Sequence, residues 1–469
     1  MPDEIVPVPC IIDTDPGVDD VIAILLALAS PHLVVAAITL THGNTDLSAT
    51  VANLEKLFYA LERHLDAKPD ERERWKGLVD GEWRKRHGAT EKILVYKGSE
   101  GPLAGNAVTA KYFHGRDGLA DCTTRHPDLT PPPSHISPFY TLIDGSAVSG
   151  TSSLLSQYPA RTLAYVALGP LTTLAQLHLS SPSATRSDSL LRRFRTIVSM
   201  GGAINHAGNV TSVAEFNYYA DPFAAQTLFA LSLPELYIFP LDITTYLTLP
   251  FSLYASSVDP ALADSTVSPS RPDEGKDPLV HFTSSFLERT QEVMRSFGAD
   301  AMELHDPTVT YALLDWARAG GATDAADESE RGTFAPGWEW HQVEFEVETH
   351  GLLTRGMLVQ DLRAASKSST SLTARTGLTN RAHAIEALDV EEVEAVHVEE
   401  AEEEAKRRKL VERGEQKEEK RVKSGARVVV SSPGSEVMRK ELLQRVWGVD
   451  GGGTVYEEVD LAGASVVGI

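Results

Sequence analysis

Apolar runs rich in β-branched residues alternate along this chain with segments of helical period. That alternation restricts the fold more than any other feature. The run Ile5–Ile12 reads as a buried strand starting near Val8, past Pro7 and Pro9. "VDDVIAILLALAS" follows with helical character and stops before Pro31; "LVVAAITLTHGN" is again strand-like. The order recurs. "TLAYVALGP", "FRTIVSMGG" and "ELYIFPLDIT" read as strands, and "LTTLAQLHLS" and "DPFAAQTLFAL" as helices. Apolar strands separated by helices predict an open, mainly parallel α/β sheet flanked by helices. In such sheets, ligands bind at the carboxyl ends of the strands.

The pattern is interrupted. Asp66–Thr90, Cys122–Ser137, Asp264–Asp277 and Gly320–Gly337 are polar or rich in Pro, Gly and Ser, and read as surface insertions. Glu391–Lys423 is dense in charge, with Glu402–Lys406, Glu403–Arg407 and Glu404–Arg408 in i,i+4 register. Its apolar residues are too sparse for a coiled-coil seam, so a solvated helix or disordered insertion is expected. "GARVVVSSPGSEVMRKELLQRVWGVD" ends in a helix-like Leu/Val/Trp pattern and is expected to pack back on the main domain. The division expected is therefore one domain over 1–390, a charged insertion over 391–424 and a returning segment over 425–469.

The formal net charge of −23 disfavours polyanions, so nucleic acid and anionic membrane are not expected partners. Two cysteines, Cys10 and Cys122, imply no disulfide framework. The start shows no secretory pattern, and no apolar window reaches spanning length. A reduced, cytoplasmic protein is expected.

"CIIDTDPGVDD" sets Asp13, Asp15, Asp19 and Asp20 between the first strand and the first helix. Pro16 and Gly17 permit a tight turn that folds Asp15, Asp19 and Asp20 toward one point. Acids at a helix N-terminus are favoured by capping and by the dipole, which accounts for one or two of them. Four point to a hard divalent cation with oxygen ligands, Ca²⁺ or Mg²⁺. A D-x-D-x-[T/V] phosphotransferase motif of the haloacid dehalogenase type fits poorly, because Gly17 stands at its fifth position.

"DTDPGVDD" resembles the N-terminal motif of the inosine–uridine-preferring nucleoside hydrolases. Further segments resemble that family in its own order. They are "THGN" (41–44), "FHGRDGLAD" (113–121), "ALGPLTTLA" (167–175), "MGGAINHAGNVTSVAEFNYYADPFAA" (200–225), "PLDIT" (240–244) and "ELHDPTVTYAL" (303–313). The resemblance runs from Val8 to about Val390. It implies a Rossmann-like α/β fold, a ribonucleoside substrate, and Ca²⁺ held by Asp15, Asp20, the Leu168 carbonyl and Asp306. It further implies ribose contacts from Asp19, Asn44, Asn209, Glu215 and Asn217, and a homo-oligomer.

N-glycosidic hydrolysis passes through an oxocarbenium-like ribosyl cation, so the site must activate water, stabilise positive charge and neutralise the leaving base. By resemblance, Asp15 is the general base, and His305 or His114 the donor to the base. Thr245 stands where many family members carry a histidine, which puts a base contact there in doubt. Tyr218, Tyr219, Tyr246, Phe251 and Tyr254 are candidates for stacking on a base. The two histidines favour uridine-like substrates; purine ribosides and nicotinamide riboside stay open. Nucleoside salvage is the role implied. The alternative is a catalytically silent Ca²⁺-holding scaffold that recruits partners through its charged C-terminal segment.

Overall fold

The computed structural model describes residues 5–181, 185, 187–263, 275–321, 334–361 and 424–450. The charged insertion expected at 391–424 lies outside these residues, apart from Ser424. The strands are β1 Val8–Thr14, β2 Leu33–Leu40, β3 Ile93–Lys97, β4 Tyr140–Ser146, β5 Ala164–Ala167, β6 Thr196–Met200, β7 Leu236–Phe239, β8 Thr248–Pro250, β9 Ala301–Glu303, β10 Glu339–Glu344, β11 Glu346–Val347, β12 Leu358–Val359 and β13 Gly425–Ser431.

Nine of them form one sheet in the order β10-β13-β7-β6-β5-β1-β2-β3-β4. Only the β10–β13 pair is antiparallel; the rest are parallel, so the expected α/β architecture is present. β1 lies between β2 and β5. The chain builds outward from β1 in one direction, then returns and builds in the other. The crevice at the carboxyl ends of β1, β2 and β5 is therefore the switch point where such folds bind ligands.

The strands nearest this point are almost wholly buried, because helices cover both faces. Helix α1, Val18–Leu28, is buried at all eleven positions. It packs against the helix His305–Trp316. A helix apolar on every side can sit only inside a core. Its first turn nevertheless carries Asp19 and Asp20 into that interior.

Several sequence expectations need correction. "ELYIFPLDIT" is a strand only to Phe239: Pro240 has no N–H for a ladder, and Leu241–Thr244 forms a helical turn. No strand was expected at β3 or β4, although β3, ILVYK, is a short apolar run. β4 is an exposed sheet edge, so it lacks an apolar run. Asp66–Thr90 is not a surface excursion. Trp75 and Arg84 within it are fully buried, and Arg84 donates to the carbonyls of Val35, Gly77 and Thr90 at 2.9, 2.8 and 3.0 Å. In Cys122–Ser137, Cys122, His126 and Leu129 are buried. A few large anchors among many charges suffice to seat such a segment. The Ser424–Asp450 stretch supplies the strand β13, parallel to β7, before its helix Ser435–Leu442.

Candidate active site

Three carboxylates converge where the switch point opens. Oxygens of Asp19, Asp20 and Asp306 lie within 4.8 Å of one another, and all three side chains are buried. Asp19 and Asp20 come from the first turn of α1, and Asp306 from the first turn of the helix His305–Trp316. The packing of these two helices joins residues almost three hundred positions apart. Asp13 does not take part. It belongs to β1, not the loop, and accepts from Thr39 Oγ1 at 2.5 Å and Thr173 Oγ1 at 3.1 Å. Burial pushes its carboxyl up to about 7.

Asp20 is doubly employed. Its Oδ1 accepts from Thr14 Oγ1 at 2.5 Å. Its Oδ2 accepts from the Gly17 amide at 3.0 Å, so it also caps α1. Asn44 Nδ2 reaches the same Oδ2 at 2.9 Å, and the Asn44 amide donates to Asp15 Oδ2 at 2.6 Å. Asn44 thus locks the two acids together.

Asp15 Oδ1 is buried and has no hydrogen-bond partner. Burial and the charges of Asp20 and Asp19 hold this carboxyl well above its ordinary range. Asp306 is raised in the same way, by burial and then by Asp19, Asp20 and Asp15. Asp19 is pushed up to about 6 by burial and by Asp20. Buried carboxylates gathered without a cation are unfavourable, and an orphaned buried oxygen adds a desolvation cost. A hard divalent cation answers both, and an all-oxygen set fits it. The donor set therefore fits Ca²⁺ or Mg²⁺.

Two glycines make room for Asp15. A Cβ on Gly43 would lie 1.9 Å from Asp15 Oδ2, and one on Gly169 would lie 2.4 Å from Oδ1. Neither was singled out from the sequence, although "THGN" and "LGP" contain them.

Leu168 directly follows β5, its amide held by the Asp13 carbonyl at 2.8 Å. Its own carbonyl accepts from Asn217 Nδ2 at 2.7 Å, which leaves its second lone pair. Glu215 caps the helix Phe216–Ala220, accepting from the amides of Asn217 and Tyr218, and also from Gly202 at 2.8 Å. Burial raises its carboxyl. Asn209 is exposed, and its Oδ1 accepts from the Phe216 amide at 2.9 Å. Asp242, with no settled role in the sequence, accepts from the amides of Ile204 and Asn205 at 2.8 and 2.6 Å, pinning the 201–214 loop.

The histidines differ. His114 Nδ1 accepts from the Val18 amide at 3.2 Å, so the hydrogen sits on Nε2. Burial pushes this imidazole down to about 4. His305 Nδ1 lies 2.8 Å from Thr244 Oγ1, and Nε2 lies 3.0 Å from Glu303 Oε2. Burial alone would lower His305. The Glu303 hydrogen bond and the charges of Glu303, Asp19 and Glu215 outweigh it and raise the imidazole. Thr244 and Glu303 escaped the sequence reading because each pairs with His305 only through the fold. Of the aromatic candidates, Tyr218, Phe251 and Tyr254 are core residues. Tyr246 is 67 % exposed, in edge contact with His206.

The model of the family "Inosine-uridine preferring nucleoside hydrolase" matches residues 10–69 and 83–395. This chain belongs to that family. It is a hydrolase acting on N-glycosyl compounds. An uncharacterized Schizosaccharomyces pombe protein is 30% identical over 351 residues, 75% of this chain and 88% of that protein. "Probable uridine nucleosidase 2" of Oryza sativa subsp. japonica is 30% identical over 305 residues, 65% of this chain and 73% of that protein. The fold is shared with the solved "Plant nucleoside hydrolase - PpNRh1 enzyme", with a TM-score of 0.56 and 21% identity, over 94% of this chain and 99% of that one. Among the described residues of this nucleoside hydrolase, no helix is long and apolar enough to cross a membrane.

Proposed function

We propose that this nucleoside hydrolase cleaves the N-glycosidic bond of ribonucleosides in a Ca²⁺-dependent reaction, with uridine-like substrates favoured, in nucleoside salvage. The observation that carries the reading is the buried convergence of Asp19, Asp20 and Asp306; Asp15 lies outside that group of three and is linked to it through Asn44 and the charge of Asp20. Asp15, Asp20, Asp306 and the Leu168 carbonyl would hold the ion. Bound there, Ca²⁺ supplies positive charge that keeps the carboxylates ionised, acidifies water and anchors the ribose diol.

Asp15 accepts the proton of the attacking water through Oδ1. Asp19, Asn44, Asn209, Glu215 and Asn217 bind the sugar hydroxyls, which both donate and accept. The ring of carboxylates favours the ribosyl cation over the neutral sugar, the difference that lowers the barrier. His305, raised by Glu303, has both ring nitrogens engaged, so it would protonate the departing base by exchanging its Nε2 hydrogen bond to Glu303 for one to the base. His114, neutral with its hydrogen on Nε2, orients the base by a hydrogen bond. The name of the rice relative supports the uridine preference.

The test is ribose release from uridine, cytidine, inosine, adenosine and nicotinamide riboside, by wild type and Asp15→Ala, with and without a Ca²⁺ chelator. Turnover led by uridine, lost in the variant and on chelation, is the expected result. No turnover by the Ca²⁺-loaded wild type would leave the scaffold reading in its place.

A further inference from the structure

The family match ends at residue 395, yet the segment beyond it reaches the elements that carry His305. β13 (Gly425–Ser431) lies beside β7, which leads through Pro240 to Thr244, the Nδ1 partner of His305. The helix Ser435–Leu442 then fastens the chain just past Thr244. Ser435 Oγ donates to the Tyr246 carbonyl at 2.8 Å. Arg439 Nε donates to the Thr248 carbonyl at 2.5 Å, and its second nitrogen to Thr248 Oγ1 at 2.9 Å.

Thr248 opens β8, and β8 pairs antiparallel with β9, with Thr248 opposite Glu303. Glu303 is the acid 3.0 Å from His305 Nε2. The Leu304 amide extends this pairing to the Leu247 carbonyl at 2.8 Å. On the helix bearing Asp306, Thr308 Oγ1 lies 3.7 Å from Met438 Sδ. Both nitrogen partners of His305 therefore stand on backbone that this returning segment grips. β8 and β9 form a separate two-stranded sheet of three residues each. A pair so short depends on what packs against it: Leu249 and Met302 seat it in the core, and the C-terminal helix holds its Thr248 end.

We propose that Arg439, with Ser435, is a positioning residue for the reaction: the C-terminal helix clamps the antiparallel β8–β9 pair and thereby sets Glu303 and His305 relative to the leaving base. The clamp rests on the reading of His305 given above. Its planar guanidinium spans two oxygens of one residue, which a lysine ammonium can do only in part.

The experiment uses the full chain loaded with Ca²⁺ and compares Arg439→Ala, Arg439→Lys and Glu441→Gln. Glu441 lies on the same helix and pairs with Arg318 and Arg445 rather than with β8 or β9. Steady-state kinetics are read with the imidazole cross-peak of His305 in selectively labelled protein, assigned through His305→Gln. Arg439→Ala is expected to lower kcat about tenfold with KM changed less than about threefold, since small misplacement of a reacting group costs that much. It should also move the His305 cross-peak. Arg439→Lys should recover only part of the loss, and Glu441→Gln should leave kcat and cross-peak in place.

An Arg439→Ala variant matching Glu441→Gln in both readouts would overturn the clamp. If Arg439→Ala does not fold, Ser435→Ala, which removes one hydroxyl, is judged by the same two readouts. A wild type that turns over no nucleoside refutes the functional reading instead, and the cross-peak still decides the clamp.

Discussion

Among the described residues, two groups of acidic side chains, one of them with a histidine, have the geometry to hold a metal ion, and they differ in what neutralises them. At the switch point, Asp19, Asp20 and Asp306 converge, and among the described residues no lysine or arginine pairs with them. At the end of helix α2 (Leu47–Ala67), His64, Glu71 and Asp277 also come within 4.8 Å. There Lys68 Nζ lies 2.6 Å from Asp277, Arg74 is paired with Glu71, and His64 lies between both acids. The chain completes the second group with its own cations. It leaves the first group without a lysine or arginine partner in a buried crevice, with only the His305 imidazole acting on Asp19. The count of metal-capable residues is equal; the missing charge separates a ligand site from a structural ion-pair network.

The largest effect expected is on the first group. Asp15→Ala should lower kcat by about 10³-fold or more, because it removes the general base and one candidate ligand together. Initial rates of ribose release measure it. Residual activity near wild type would show that Asp15 is not needed.

Chelation sharpens the contrast. Removing divalent ions should abolish turnover and lower the unfolding midpoint by about 5 °C, as a ligand that binds only the folded state implies. Calcium should restore both in wild type and neither in Asp306→Ala. In Asp277→Asn the Ca²⁺ response should persist. Loss of that response would mean that the second group binds the ion as well.

His305→Gln should cost about 10²-fold in kcat with Ca²⁺ affinity retained, as expected for a donor to the base rather than a ligand. Calorimetric titration with Ca²⁺ separates the two roles.

The smallest effect concerns the second group and pH. Burial alone would raise Asp277, but the His64 hydrogen bond and charge, with Lys68, hold its carboxyl well below the ordinary range. A folded-state value below the unfolded one gives stability that is complete above about pH 4 and is lost as pH falls below it. Asp277→Asn should therefore lower stability by about 2 kcal/mol at pH 7, discounted because Lys68 is partly exposed. The difference from wild type should fade below about pH 4. Denaturant melts at pH 3 and pH 7 test this, and an equal difference at both would show that packing, not charge, is lost.

Much of the site was legible in the sequence because its pieces are local. Asp15, Asp19 and Asp20 lie within six residues, and "THGN" and "AEFN" carry Asn44, Glu215 and Asn217 in short runs. The β1-α1-β2 alternation and the central strands were readable because buried parallel strands are apolar throughout. The exposed edge strand β4 lacks that pattern, whereas β3, ILVYK, has it and was passed over between two polar stretches. Asp66–Thr90 read as surface because Trp75 and Arg84 are few among its charges, and only the fold shows that they are anchors.

The sequence by itself determined which chemical groups are present: a strand, a Pro-Gly turn, and acids at the start of a helix, all set by neighbours along the chain. The tertiary structure alone decided which acids meet. It turned Asp13 toward Thr39 and Thr173, brought Asp306 to Asp19 and Asp20, and set Glu303 and Thr244 on His305. The physical reason is that a carboxylate's state depends on burial and on charges within a few ångströms, and in the folded chain those neighbours come from residues hundreds of positions away.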